Sequence, residues 1–435
     1  MHTISQEAHK QARQLLEFID ASPSPWHAVS SIESRLLEQG FIRLQEQDAW
    51  SLKPGGSYFV SRKDASIIAF RMGEKPVSET GFRIVGAHTD SPGLRLKPKA
   101  AYATDGIARL AVEVYGGPIL ATFTDRDLSL AGRVNVRSGQ GFETHLVRFE
   151  QPLVRLPNLA IHMNREVNEQ GLKLHKQNEL PLIFGFGKDT ETAAQAFLQL
   201  LATQLKVEPD RILNWEMNVY DTQPGVFWGA DQEFIADSQL DNLASCHAGI
   251  TALLQAQTLE ATAVCALFDH EEVGSESASG AGGSFIADVL ARIAAAQGLS
   301  EEMRLAAHAR SFIISADMAH AYHPNFPNAY EPGHKVMVNG GPVIKINVNQ
   351  RYSSDANTSA QFMLLCEKAG VPYQQYAHRT DLGCGSTIGP IVSSALGMAG
   401  VDVGCPMWAM HSLRESAGVL DHHAMIKVLQ AAFEA

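Results

Sequence analysis

The sequence predicts an α/β fold, a mixed sheet flanked by helices, interrupted by an inserted β-rich domain. Three observations lead there. After residue 235, apolar strand-like runs alternate with helical patterns, the order that builds a layered sheet. Val264-Cys265-Ala266-Leu267-Phe268 is apolar at every position, as a strand covered on both faces must be. Between about Pro92 and Gly229 helical periodicity gives way to short β-type runs separated by Gly- and Pro-containing turns, so a second unit divides the first. The expected boundaries are 1–92 and 232–435 for the larger domain and 93–231 for the insert.

Each element follows from its pattern. Ala12, Leu15, Leu16 and Ile19 form one helical stripe, which Ser22-Pro23-Ser24-Pro25 ends before a second helix at Trp26–Leu37. Short strands are expected at Tyr58–Val60, Ile67–Phe70 and Phe82–Val85. In the insert, Val112–Tyr115, Leu128–Leu130, Val134–Val136 and Leu159–Ile161 read as strands and Glu191–Gln204 as a helix. Next come a helix at Leu243–Leu254, the Val264–Phe268 strand and an Ala-rich helical stretch over Ala287–Arg310. Strands at Phe312–Ile314 and Val343–Val348 follow, then a helix at Ala360–Ala369 and a terminal helix with Met425, Leu429, Ala432 and Phe433 on one face.

Composition narrows the function. The 435 residues carry 35 Lys and Arg against 47 Asp and Glu, a formal charge of −12 without a long basic cluster. Nucleic acid and membrane are therefore not expected as partners. No apolar run reaches the roughly 18 residues of a membrane span. Met1-His2-Thr3-Ile4-Ser5-Gln6-Glu7 has neither the basic start nor the apolar stretch of a signal peptide. Five cysteines with no Cys-x-x-Cys pair read as reduced thiols, so a cytoplasmic location is expected. Cys384, between two glycines, reads as a small buried thiol in a tight turn.

Polar clusters follow the apolar runs. Phe82–Val85 leads to His88-Thr89-Asp90, Val264–Phe268 to Asp269-His270-Glu271-Glu272, and Phe312–Ile314 to Asp317 and His320. Val401–Val403 precedes a loop that reaches His411, and Asp237-Ser238-Gln239-Leu240-Asp241 precedes the Leu243 helix. Ligands of open α/β sheets bind beyond the carboxyl ends of strands, so these clusters are expected to converge on one crevice. Imidazoles and carboxylates without cysteine suit zinc, and carboxylate-rich mixtures also take manganese or cobalt. One catalytic metal needs about three protein ligands, whereas five or six candidates fit two metals sharing a carboxylate. In Glu271-Glu272 one acid can bind metal while the other stays free as a base, and Asp90 stands where it can hold His88 from behind. His270-Glu271-Glu272-Val273-Gly274 is not the His-Glu-x-x-His of helix-borne zinc sites, and no Gly-x-Ser-x-Gly elbow is present.

Longer motifs run through nearly the whole chain: Ser22-Pro23-Ser24-Pro25-Trp26-His27-Ala28-Val29, Ala87-His88-Thr89-Asp90-Ser91-Pro92-Gly93, and Asp125-Arg126-Asp127-Leu128-Ser129-Leu130-Ala131-Gly132-Arg133. Leu240-Asp241-Asn242-Leu243, Asp269-His270-Glu271-Glu272-Val273-Gly274-Ser275, Asp317-Met318-Ala319-His320-Ala321 and Cys384-Gly385-Ser386-Thr387-Ile388-Gly389-Pro390 continue the pattern. In these the sequence resembles the aspartyl aminopeptidases, cytosolic di-zinc exopeptidases. The resemblance implies that His88, Asp241 and Asp317 hold one zinc and that Asp241, Glu272 and His411 hold the other, with Asp241 bridging. It implies Glu271 as general base, Asp90 as the residue orienting His88, and Lys345 as the group receiving an acidic substrate side chain, with Tyr352 and His320 nearby. His162 resembles a histidine that enters a neighbouring subunit's active site. A tetrahedral homododecamer formed through the insert, acting on peptides with an acidic N-terminus, is implied in the same way.

Overall fold

A computed structural model of the chain describes residues 4–435; Met1–Thr3, the start of the segment read for a leader, lie outside the described residues. Ser5 caps the helix Gln6–Asp20 by accepting from Ala8 N, and Ser24 caps Pro25–Glu38, whose proline stands in the first turn where no amide is needed. The buried stripe of the first helix includes Ala12, Leu15, Leu16 and Ile19.

Nine strands form the large sheet, in the order Ile42–Arg43, Ser57–Arg62, Ser66–Arg71, Thr262–Phe268, Phe82–His88, Phe312–Ala316, Ala399–Gly404, Val343–Ile346, Gln374–Ala377. The four central strands are mutually parallel, and their neighbours Ser66–Arg71 and Val343–Ile346 run against them. All seven residues of Thr262–Phe268 are buried because helices cover both faces. Cys265 and Leu267 pack with the first two helices, Leu240–Gln255, Ala356–Ala369 and Val419–Phe433. Val264, Ala266 and Phe268 pack with Phe285–Ala296, Glu301–Ala309 and Ile388–Leu396. Alternate side chains thus serve two cores, the period of 2 that a two-faced strand imposes.

A second sheet of six strands is antiparallel at every pairing, in the order Gly141–Arg148, Leu128–Ser138, Ile212–Asp221, Gly93–Thr104, Ile107–Tyr115, Leu182–Phe186. It has its own core, in which Leu94, Leu110, Leu130 and Val134 meet Phe197 and Leu201 of the helix Thr190–Leu205. A third sheet was not anticipated. It joins Val226–Trp228, Phe234–Asp237, Glu415–Gly418, Pro406–Trp408 and Ala319–His320. Strands of two to four residues carry too little alternation to be read from sequence.

Other differences have local causes. The Ala-rich stretch is two helices, Phe285–Ala296 and Glu301–Ala309, parted by Gly298 at φ +75° and restarted by the Ser300 cap. Leu159–Ile161 is not a strand; the chain there is loop leading into the turn Ile161–Met163. The helix expected from Ala360 begins at Ala356, capped by Asp355.

Candidate active site

Three of the four parallel strands deliver side chains to one edge. His88 is the last residue of its strand, and Asp317 follows Phe312–Ala316 directly. That second position needs a glycine opposite: a Cβ on Gly404 would stand 1.8 Å from the Asp317 carbonyl oxygen. Glu271 and Glu272 lie on a short 3-10 turn beyond Thr262–Phe268. Asp241 opens the helix Leu240–Gln255 with non-helical backbone of its own, and Asn242 Nδ2 anchors this start on the Ala316 carbonyl at 2.9 Å. His411 sits at φ +66° between two strands of the third sheet. A single carboxylate fixes these last two segments: Glu415 Oε1 accepts from His411 N at 2.6 Å and Oε2 from Asp241 N at 3.0 Å.

The resulting cavity measures ≈ 450 Å³ and brings together His88, Asp241, Glu271, Glu272, Asp317, His320, Lys345, Tyr352 and His411. His88 Nε2 is 3.5 Å from Asp241 Oδ1 and 3.6 Å from Asp317 Oδ1. His411 Nε2 is 3.3 Å from both Asp241 Oδ2 and Glu272 Oε1. Two ligands on one tetrahedral zinc, with bonds of about 2.0–2.2 Å, stand ~3.4 Å apart. Asp241 therefore offers one oxygen to each imidazole, and its buried Oδ1 has no hydrogen-bond donor. A buried anion without a donor calls for a cation. The donor set fits zinc, and ligand atoms of His88, Asp241 and Glu272 fall within 4.8 Å of one another.

The electrostatics point the same way. Burial, reinforced by neighbouring acids, pushes Glu271 up to about 8 and Glu272 up to about 7. Burial opposes charge on His411 as well, yet hydrogen bonding to Asp241 and Glu272 raises it to about 11. Burial also disfavours the His88 cation, but Asp241, Asp317 and Asp90 outweigh it and hold the imidazole well above its ordinary value. Clustered acids hold protons on whatever base is near when no other positive charge neutralises them.

Asp90 meets His88 through its backbone more closely than through its carboxylate. The nearest acceptor to His88 Nδ1 is the Asp90 backbone carbonyl, at 2.9 Å, while the carboxylate Oδ1 stands 3.5 Å away. That carboxylate instead accepts from Glu271 N and Glu272 N, each at 3.1 Å, and from Tyr115 Oη at 2.7 Å. Burial and the Asp90 charge keep the Tyr115 phenol far above its ordinary range, so it remains a donor.

Lys345 is 3 % exposed and lies on a strand that Gln374–Ala377 covers, not on a sheet edge. Its Nζ donates to the Met318 carbonyl at 3.2 Å, stands 3.5 Å from Asp317 Oδ2, and sits 5.2 Å from the centre of the Tyr352 ring. His162 is not part of this cavity; it lies exposed on the turn Ile161–Met163. Cys384 is half-buried, the loop that carries it being open to a neighbouring cavity. The sequence does not single out Glu415, which opens a four-residue strand, or Tyr115, which closes a strand of the antiparallel sheet, since neither bears metal-ligand spacing.

Imidazoles and acids arranged in this way at the carboxyl edge of a mixed sheet define a metallohydrolase. The comparison with known proteins makes the class specific: the chain belongs to the M18 aminopeptidase family, matching the family described as Aminopeptidase I zinc metalloprotease (M18) over residues 18–433. It is 48% identical over 422 residues to a probable M18 family aminopeptidase 2 of Ectopseudomonas mendocina, covering 96% of each chain, and 47% identical to its counterpart in Pseudomonas aeruginosa, with the same coverage. Among solved structures, a chain of the Ape4 and Nbr1 complex superposes with a TM-score of 0.95 at 35% identity, over 100% of this chain and 88% of that one. The S. cerevisiae mApe1 dodecamer gives 0.87 at 25%, over 99% and 97%. The protein is thus a zinc metalloaminopeptidase, which removes N-terminal residues from peptides. Among the described residues no helix is long and apolar enough to cross a membrane.

Proposed function

We propose that this aminopeptidase prefers peptides beginning with Asp or Glu. The observation that carries the reading is Lys345: among the described residues lining the cavity it is the one Lys or Arg, held beneath the ring of Tyr352. A desolvated ammonium gives an acidic side chain a charge-assisted hydrogen bond that a neutral one cannot make. His320 adds an imidazole to the cavity wall.

His88, Asp241 and Asp317 would hold one zinc and Asp241, Glu272 and His411 the other; manganese or cobalt suits the same donors. When bound, the two ions supply Lewis acidity and lower the pKa of the attacking water. Glu271, which pairs with neither imidazole, takes the water's proton on its carboxylate and passes it to the leaving amine. Asp90 holds the Glu271–Glu272 turn by two amides, and its carbonyl keeps the His88 Nε2 turned towards the acids. His162, exposed on the β-rich insert, reaches the site of a neighbouring subunit in a homododecamer. Support comes from the mApe1 dodecamer and from Leu159, Ile161, Met163 and Phe186, apolar yet exposed on the same unit. Five free cysteines agree with a cytoplasmic location.

The test is a panel of Asp-, Glu-, Leu- and N-acyl peptides cleaved by enzyme loaded with defined metals. Acidic N-termini should give the highest kcat/KM. Equal rates on Leu-peptides would leave a broad aminopeptidase, and cleavage of N-acyl substrates a deacylase.

A further inference from the structure

The strand Ile107–Tyr115 belongs to the antiparallel sheet, yet the chain leaving it touches the metal-ligand candidates residue after residue. Tyr115 Oη donates to the carboxylate that gathers Glu271 N and Glu272 N. Gly116, at φ +65°, approaches so closely that a Cβ there would stand 3.1 Å from Glu272 Cβ. The Gly117 carbonyl lies 3.2 Å from His411 Nδ1, and Ile119 N donates to the His411 carbonyl at 2.8 Å.

We infer that Tyr115–Ile119 is a positioning segment of the metal centre, Tyr115 acting on Glu271 and Glu272 through Asp90, and Gly117 acting on His411 through its outer ring nitrogen. An imidazole whose Nδ1–H is held by a carbonyl has its Nε2 lone pair free and aimed, and this one aims at Asp241 and Glu272. The Asp90 carboxylate has three donors from two separate units of the fold. Without the phenol it keeps only the two amides of the turn it must hold still. The antiparallel sheet therefore helps to build the site of its own chain, a role independent of any contact between subunits.

The inference rests on Glu272 and His411 as metal ligands, and the experiment separates the two ideas. Tyr115→Phe keeps the ring and its stack against the Arg95 guanidinium, 3.6 Å from the ring centre, and removes one oxygen. Zinc affinity is measured by competition with a chromogenic chelator, beside kcat, KM and the melting temperature of the zinc-free protein. The expected result is zinc held about 10- to 100-fold more weakly, a lower kcat at unchanged KM, and a zinc-free melting temperature close to that of the unaltered protein. Wild-type zinc affinity and kcat in Tyr115→Phe overturn the inference, whatever happens to the melting temperature. Should that variant fail to fold, Gly116→Ala presses on Glu272 from the adjoining residue and must weaken zinc in the same way; unchanged affinity there overturns it equally. Glu272→Gln is the control: if it binds two zinc ions as the unaltered chain does, the ligand assignment fails, and not the positioning alone.

Discussion

Replacing Lys345 with Met keeps the length and bulk of the side chain and removes its charge. Nζ is buried, so nothing in solvent screens the loss, and a hydrogen bond to a charged group in such a place is worth about 1.5–3 kcal/mol. At about 1.4 kcal/mol per factor of ten, the ratio of kcat/KM on an Asp-peptide to that on the matching Leu-peptide should fall about 10- to 150-fold. The ratio matters because Lys345 also stands 3.5 Å from Asp317 Oδ2, and disturbance of that acid affects both substrates alike. The assay is steady-state cleavage of the two peptides by wild-type and Lys345→Met enzyme at fixed zinc. An unchanged ratio, even with both rates depressed, would make the lysine a structural partner of Asp317 and refute the specificity argument.

Three further outcomes follow from the same geometry. Glu271→Gln should keep two zinc ions by elemental analysis and lose 10²–10⁴-fold in kcat, roughly the worth of a general base; turnover near the wild-type rate would remove Glu271 from proton transfer. A strong chelator should abolish cleavage and lower the melting temperature, and zinc should restore both, since a ligand at 1,000 times its Kd contributes about 4 kcal/mol; activity that survives exhaustive chelation contradicts the metal site. Burial holds His422 at about 3 and His247 well below its ordinary value, with the two rings in contact at 2.9 Å. The unfolded chain binds these protons more tightly, so this stabilisation is complete above about pH 6.5 and is lost as the pH falls towards 3. His422 alone contributes about 2 kcal/mol of the loss by pH 5. Urea midpoints at pH 7.5 and 5 should separate less in His422→Gln, and an equal separation counts against the pair.

The sequence made the large sheet and its polar edge readable for one reason: the central strands are mostly apolar, so the cluster of polar residues at the end of each run marks its carboxyl end. His88, Glu272 and Asp317 belong to such clusters. Asp241 was visible as the acid before a helix, although its own backbone is not helical. Lys345 had no such signal, because a lysine in a short strand reads as surface until a further strand is seen to cover it. Asp90 was legible as a neighbour of His88, but spacing alone could not show that its carbonyl makes the shorter contact while two amides and a phenol take the carboxylate. Glu415 and Tyr115 were invisible for a related reason. Tyr115 acts through the Asp90 carboxylate of another element and Glu415 through the amides of His411 and Asp241, and hydrogen bonds of that kind leave no periodicity. The third sheet escaped notice because its strands are too short for one to develop.

The place of Thr262–Phe268 between Ser66–Arg71 and Phe82–His88 has a consequence for synthesis. Both early strands leave the ribosome with a hydrogen-bonding edge that this later strand will occupy. At ~5–20 residues per second the interval lasts roughly ten to forty seconds, during which one edge of Ser66–Arg71 and both edges of Phe82–His88 are exposed to other nascent chains. Every strand of the six-stranded sheet is translated within that wait. All six strands of that sheet are available to pair while the large sheet stays unfinished, so a chain arrested before residue 262 should carry a paired antiparallel sheet tethered to an adhesive fragment.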